Sequence, residues 1–391
     1  MADHERVGRT PRLGLIVNPI AGLGGPVGLK GTDGPDLARR ALELGARPRS
    51  GERAAEALAA LVEAWPDAES VPELLVPPGE MGESAAAAAG FPAAIVGGRP
   101  AGPTTADDTR TAAIALRELG VDLLLFAGGD GTARDIEAAL GETATVLGIP
   151  AGVKIQSAVF ATGPGSAGRL AASWLRSCTR RTAAREVADL AEGNGMTPQL
   201  HGILRVPVGR LVQARKAPSP AGETVAIAAI AADVAVSLVP GRRYVLGPGT
   251  TVRGVAEAVG LPKTVIGVDV IEAVAPPAAG EAPRAVLVAP DADAAAVRDA
   301  LRGQRGSIVV TPIGGQGFLF GRGNQQIPPD VIRSVGRDGL IVIATSRKLA
   351  ELGGRPLLVD TGDALLDHEL AGYVTVVTGY RERAVVAVRP A

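Results

Sequence analysis

The sequence predicts an α/β fold: an N-terminal doubly wound parallel-sheet domain, followed by a β-rich C-terminal domain that carries an α/β insertion. Three observations predict it. Branched-aliphatic runs alternate with Ala-, Leu- and Glu-rich helical stretches over the first 150 residues, which is the rhythm of βαβ units. The chain is 46% hydrophobic but only 3% aromatic, so its core is made of Val, Leu, Ile and Ala, the residues of parallel strands covered on both faces. From Pro150 onward, strand-like segments follow one another with Pro and Gly breaks instead. A length of 391 residues allows two cores. The expected division is 1–150 and 151–391, with the insertion at about 237–306.

Each element follows from local chemistry. Residues 13–17 read as a buried strand ending at Asn18-Pro19 and a glycine-rich loop through Gly25. A helix is expected over 52–64, with Pro66 as its stop. Residues 73–76 and 93–96 are short strands, with a short Ala-rich helix at 80–89 between them. Thr105 caps a helix that stops at Gly120. Residues 121–126 form the strongest buried-strand pattern, leading through 127–132 into a helix that ends near Leu140; 145–149 is the next strand. Beyond it, strands are expected at 202–208, 210–214, 223–230, 243–246, 264–268 and 284–288, with helices at 252–259 and 293–301. The last strands fall at 307–311, 340–344, 356–359, 373–378 and 383–388.

Composition excludes several function classes. Forty basic and 41 acidic residues leave a net charge of -1 without any Lys/Arg block. With aromatics so scarce, no nucleic-acid partner is expected. The single cysteine, Cys178, excludes an intrachain disulfide and a Cys-based zinc cluster. His4, His201 and His368 are far apart, so no metal-ligand set is read from the chain itself. The first 11 residues are polar, unlike a signal peptide, and no run approaches the ~20 apolar residues of a bilayer span. A cytoplasmic protein without a membrane partner is expected.

The motif with most chemistry is Gly128-Gly129-Asp130-Gly131-Thr132, placed after a buried strand and before a helix. In doubly wound sheets ligands bind outside the carboxyl ends of strands, where this loop lies. Glycines let the backbone approach a phosphate, and the helix N-terminus favours an anion. An acid among such donors is unexpected in a plain phosphate cradle. Asp130 makes sense if it accepts a proton from a substrate hydroxyl, or helps to hold Mg²⁺ against phosphates. Asn18, Gly22 and Gly24 close the first strand in the same topological position, making a second phosphate-contact loop.

Weaker signals have two readings each. Gly247-Pro248-Gly249-Thr250 is a phosphate contact or a rigid turn capped by Thr250 or Thr251. The stretch 163–168, with Gly163, Gly165 and Gly168, is a phosphate loop or a hinge. Lys30, Lys154 and Arg169 face a phosphorylated ligand or are solvated. Glu186 and Asp189 are expected to share one helix face.

The Gly-Gly-Asp-Gly-Thr loop after a hydrophobic strand, with the Asn18-Pro19 loop after the first strand, resembles the superfamily of NAD kinases, diacylglycerol kinases and sphingosine-type kinases. Thr311-Pro312-Ile313-Gly314-Gly315, followed by Gly317, Gly321, Gly323 and Pro328, resembles the Thr-Pro-Thr-Gly-Ser loop of NAD kinases. Downstream, Lys348-Leu349 and Arg355-Pro356-Leu357, together with Gly152-Val153-Lys154 and Tyr380-Arg381-Glu382, look most like the bacterial ATP-NAD kinase/AcoX-type branch. The sequence departs from the pattern at Gly315-Gln316, where Ser-Thr is usual, and lacks a convincing Asn-Glu or Asn-Asp pair.

The resemblance implies ATP-dependent phosphorylation of the 2′-hydroxyl of NAD to give NADP, with Mg²⁺. By it, Asp130 is the catalytic carboxylate, and Asn18, Gly22, Gly24, Gly128, Gly129, Gly131 and Thr132 shape the nucleotide and phosphate site. Thr311, Pro312, Gly314, Gly315, Gln316 and Gly317 contact substrate. Small-molecule nucleotides are the expected partners, and the family habit implies a homo-oligomer. Two alternatives stay open: a kinase of the same superfamily acting on another small metabolite or a lipid, and a non-catalytic nucleotide-binding protein.

Overall fold

Five branched-aliphatic segments pair in parallel as the first sheet: β1 (Arg12–Val17), β2 (Glu73–Val76), β3 (Ala93–Ile95), β4 (Leu123–Gly128) and β5 (Val146–Pro150). The computed structural model describes residues 9–29, 35–66, 71–100, 102–152, 155–190, 198–209, 212, 223–275 and 284–391. The chain separates into two units: 1–23, 31–42 and 47–215 form the first, and 24–30, 43–46 and 216–391 the second.

In the first unit the strand order is β3-β2-β1-β4-β5. Every residue of β4 and β5 is buried, which is why they read as unbroken aliphatic runs. Helices α1 (Pro35–Glu43), α2 (Ser50–Glu63), α3 (Glu83–Ala88), α4 (Ala106–Glu118) and α5 (Asp130–Leu140) fill the connections. Thr105 caps α4 as expected, in a capping box with Asp108. The chain goes outward from β1 to β2 and β3, then returns to lay β4 on the other side of β1. That reversal is a topological switch point, and the loops leaving β1 and β4 are neighbours there.

The expected division at 150 falls inside this unit. Helix α6 (Pro164–Arg176) and the antiparallel pair β6 (Thr182–Leu190) and β7 (Pro198–Pro207) add Trp174, Val187, Leu204 and Val206 to the core that holds Phe126. The change at Pro150 marks a change of local structure, not of core. The 163–168 stretch is the N-cap and first turns of α6, and a Cβ on Gly168 would overlap the Ala57 carbonyl of α2. Its glycine is explained by helix packing. Glu186 lies in strand β6 instead of the expected helix.

Among the described residues, the second unit has nine strands. They are β8 (Arg243–Leu246), β9 (Asp269–Val274), β10 (Arg284–Ala289), β11 (Gly306–Val310), β12 (Phe318–Phe320), β13 (Leu340–Ile343), β14 (Leu357–Val359), β15 (Gly372–Gly379) and β16 (Glu382–Pro390). Their order is β10-β9-β8-β11-β13-β15-β16-β14-β12, with β8, β11, β13 and β15 parallel. The 237–306 stretch is therefore one edge of a shared sheet, joined through β8 to β11. Helices α7 (Thr224–Val236), α8 (Thr250–Ala258), α9 (Ala294–Leu301), α10 (Pro329–Val335), α11 (Ser346–Ala350) and α12 (Ala364–Glu369) connect and cover it.

Two strand expectations fail here. Residues 224–230 lie in α7, with Glu223 as its N-cap, and Val225 and Ile227 alternate with alanines and mimic a strand period. Residues 264–268 are a turn, because Val265 and Gly267 give their carbonyls to Gly249 N and Lys263 Nζ instead of to a ladder. The strand expected at 210–214 lies, apart from Val212, outside the described residues. Among the described residues, no helix is long and apolar enough to cross a membrane.

Candidate functional site

The switch point is tied together by a single side chain. Asn18, just past β1, donates its backbone N–H to Ala127 O of β4 at 2.9 Å. Its Nδ2 donates to Thr132 Oγ1 at 2.9 Å, while Oδ1 accepts from Ile20 N at 3.2 Å. Asparagine suits this place because its short carboxamide closes its own turn and still reaches the neighbouring loop. Gly22 adopts φ +79°, and a Cβ there would overlap the Ala151 carbonyl. A Cβ on Gly129 would lie 3.1 Å from the Gly152 Cα. The loops after β1, β4 and β5 thus pack backbone on backbone, which only glycine permits.

Asp130 opens α5 and is 5% exposed. Its Oδ2 accepts from Gln156 N at 2.7 Å, and its Oδ1 from Ser157 N at 3.0 Å and Ser157 Oγ at 2.6 Å. Ser157 Oγ in turn accepts from Ala188 N at 3.0 Å. The carboxylate therefore holds the 156–157 backbone against the Gly128–Thr132 loop. Backbone N–H groups and the α5 N-terminus account electrostatically for an acid in this loop. Gln156 and Ser157 carry no sequence motif; their link to Asp130 spans 26 and 27 positions, beyond any local pattern.

In the second unit, the loop after β11 is a tight turn. Gly317 N donates to Ile313 O at 2.8 Å, and Arg355 Nη2 donates to Gly315 O at 2.9 Å. Gly315 and Gly317 take φ of +73° and +82°, conformations that favour glycine. Thr311, Pro312 and Gln316 are buried, and Gly314 is half-buried. The structure therefore gathers Asn18, Gly22, Gly128, Gly129, Asp130, Gly131 and Thr132 at one place in the first unit. Thr311, Pro312, Gly314, Gly315, Gln316 and Gly317 form one loop of the second. Gly24 goes with the second unit, where its carbonyl accepts from Leu29 N at 2.9 Å. Lys30 and Lys154 lie outside the described residues, and Arg169 reaches Ser166 Oγ on its own helix at 3.4 Å.

Among the described residues, no three His, Cys, Asp or Glu side chains gather into a group able to hold a metal. The oxygens of Asp130 are bonded to Gln156 and Ser157. These residues do not fit a protein-built Mg²⁺ cage.

The family model for the ATP-NAD kinase N-terminal domain matches residues 13–176, and that for the ATP-NAD kinase C-terminal domain matches residues 240–388. The chain belongs to the ATP-NAD kinase family. No curated protein and no solved structure matches it. As an ATP-NAD kinase family member it is a phosphotransferase with a hydroxyl acceptor and, at family level, an NAD-like substrate. The family generally uses ATP and a divalent metal. Both the loops after β1 and β4 and the loop after β11 lie within the matched residues.

Proposed function

We propose that this kinase transfers the γ-phosphoryl group of ATP to the 2′-hydroxyl of the adenosine ribose of NAD, giving NADP and ADP. The observation that carries the reading is the switch point, where Asn18 joins the loop after β1 to Thr132 of the loop after β4. In open α/β sheets that is where nucleotides bind. The ribose oxygen bonds to the γ-phosphorus as the bond from that phosphorus to the β–γ bridging oxygen breaks. The hydroxyl proton passes to the Asp130 carboxylate. Phosphoryl transfer of this kind depends mainly on positioning and charge stabilisation.

In this reading the glycine-rich backbone around 128–131 approaches the phosphates, and the tight loop at 311–317 contacts the substrate. Mg²⁺ bound to the triphosphate would neutralise charge on the phosphates. The protein acts as a homo-oligomer in the cytoplasm.

The test is direct. Purified protein with Mg-ATP and NAD is expected to form NADP, and Asp130→Asn to lower kcat by at least ~100-fold, the lower end of what acid–base catalysis contributes. Circular dichroism checks that the variant is folded. No NADP from NAD, and no phosphorylated product from NADH, with either ATP or polyphosphate, overturns the assignment.

A further inference from the structure

Lys348 plays no part in the site described above. It lies on α11, just past β13, and is 9% exposed. Its Nζ donates to Thr311 Oγ1 at 3.1 Å and to Thr251 Oγ1 at 3.3 Å. The three residues come from three connections: Thr311 directly follows β11, Lys348 follows β13, and Thr251 follows β8 on α8. Because β8, β11 and β13 are parallel neighbours, these connections leave the same carboxyl end of the sheet.

The hydroxyls carry the argument. A threonine hydroxyl has one hydrogen, and an oxygen that accepts from an ammonium must turn that hydrogen elsewhere. Thr251 is 1% exposed and Thr311 9% exposed. Among the described residues, neither hydroxyl hydrogen has an acceptor; each oxygen only receives from Lys348. Thr345, one strand end away, is the contrast: its Oγ1 donates to Glu223 Oε1 at 2.8 Å and accepts from Lys348 N at 3.2 Å, so it is satisfied both ways. Buried donors left without an acceptor are rare in folded proteins and call for an explanation.

The adjacent turn is shaped to the same place. Gly249 takes φ +118°, and a Cβ there would come within 2.9 Å of Thr311 Cγ2. Gly247-Pro248-Gly249 thus closes on Thr311.

We propose that Lys348, Thr251 and Thr311 form an oxyanion site that receives a phosphate oxygen of the nucleotide substrate. Two hydroxyl hydrogens converge beside the positive charge of an ammonium, from three loops, an arrangement suited to phosphate. Naming a nucleotide rests on the kinase reading; recognition of a phosphate oxygen does not.

Calorimetric titration of the full chain with inorganic pyrophosphate, and separately with NAD, tests the site. Thr251→Val removes a hydroxyl at nearly constant shape, Lys348→Met removes the charge, and Lys348→Arg keeps it. Thr251→Val and Lys348→Met are each expected to weaken pyrophosphate binding by about tenfold or more, with Lys348→Arg in between. The same losses with NAD identify its diphosphate as the occupant; losses with pyrophosphate alone identify free phosphates. Wild-type protein that fails to bind pyrophosphate, or a folded Thr251→Val that binds it as well as wild type, overturns the proposal. If NADP formation fails while pyrophosphate binding stays sensitive to these variants, the kinase reading falls and the oxyanion site stands.

Discussion

Asp130 has a structural task beside any chemical one. Replacing Ser157 with Ala removes its hydroxyl donor to Asp130 and leaves the Gln156 and Ser157 backbone N–H groups in place. We expect a loss of about 1 kcal/mol in stability by urea unfolding, with kcat falling because the loop that aims Asp130 loosens. Gly22→Ala acts through the backbone: φ +79° disfavours the new residue and its Cβ overlaps Ala151 O. The expected cost is about 1–3 kcal/mol in the same measurement. Asp363 offers a titration test. Its carboxylate accepts from Arg333 Nη1 at 2.7 Å and caps α12 through Leu366 N at 3.1 Å. Arg333 first, then the Leu366 N–H, lowers its pKa from 3.8 to about 2. A depressed folded pKa means the contribution is present above the ordinary carboxylate value and is lost as pH falls through about 2. Arg333→Gln should return the Asp363 midpoint toward 3.8, read by NMR; an unmoved midpoint contradicts the assignment. At this scale the sequence marks Asp130, Asn18 and their glycines because they fall in two glycine-rich loops that each follow a buried strand. Ser157 was not legible, and Lys348 was marked only by resemblance, since their partners are brought by the fold from distant positions.

At the scale of elements, a clear polarity pattern was readable and its absence misled. Helix α4 announces itself with Thr105 and Asp108, and α9 with Asp293, whose side chain accepts from Ala296 N. Helix α7 has apolar residues on every face, so only its alanines favour helix over strand. Helix α6 begins in a Gly/Pro cluster that local rules read as a break. The turn before β9 was missed for a different reason, the buried Lys263. Its Nζ donates to Thr264 O at 3.1 Å, Gly267 O at 2.9 Å and Asp269 Oδ2 at 2.9 Å. Burial pushes the Lys263 pKa down, with Asp269 opposing. Below the ordinary lysine value of 10.5, the unfolded chain then binds more protons than the folded one. Stability therefore rises with pH between the folded pKa and that value. Lys263→Met should abolish this alkaline rise and, by stranding Asp269, cost about 3–5 kcal/mol. Urea midpoints followed from neutral pH to pH 10 check both; an unchanged pH slope in the variant rules out the linkage.

For the whole molecule, the parallel order of the first sheet and the strand-rich second unit follow from aliphatic runs and Pro/Gly punctuation. The division between units does not. Core membership depends on which side chains meet in space, and Trp174 and Leu204 meet Phe126's core without any sequence mark. Family membership rests on both domains being matched, over residues 13–176 and 240–388. The alternation between units begins early in the chain. Residues 24–30 lie beyond the first strand in sequence but belong with the second unit, where Pro26 O accepts from Ala294 N at 3.1 Å in the first turn of α9. No single scission of the polypeptide yields two intact modules. A fragment starting at residue 216 forfeits the acceptor that seats α9, so dissecting this enzyme calls for supplying the 24–30 peptide in trans or grafting it onto the truncated chain.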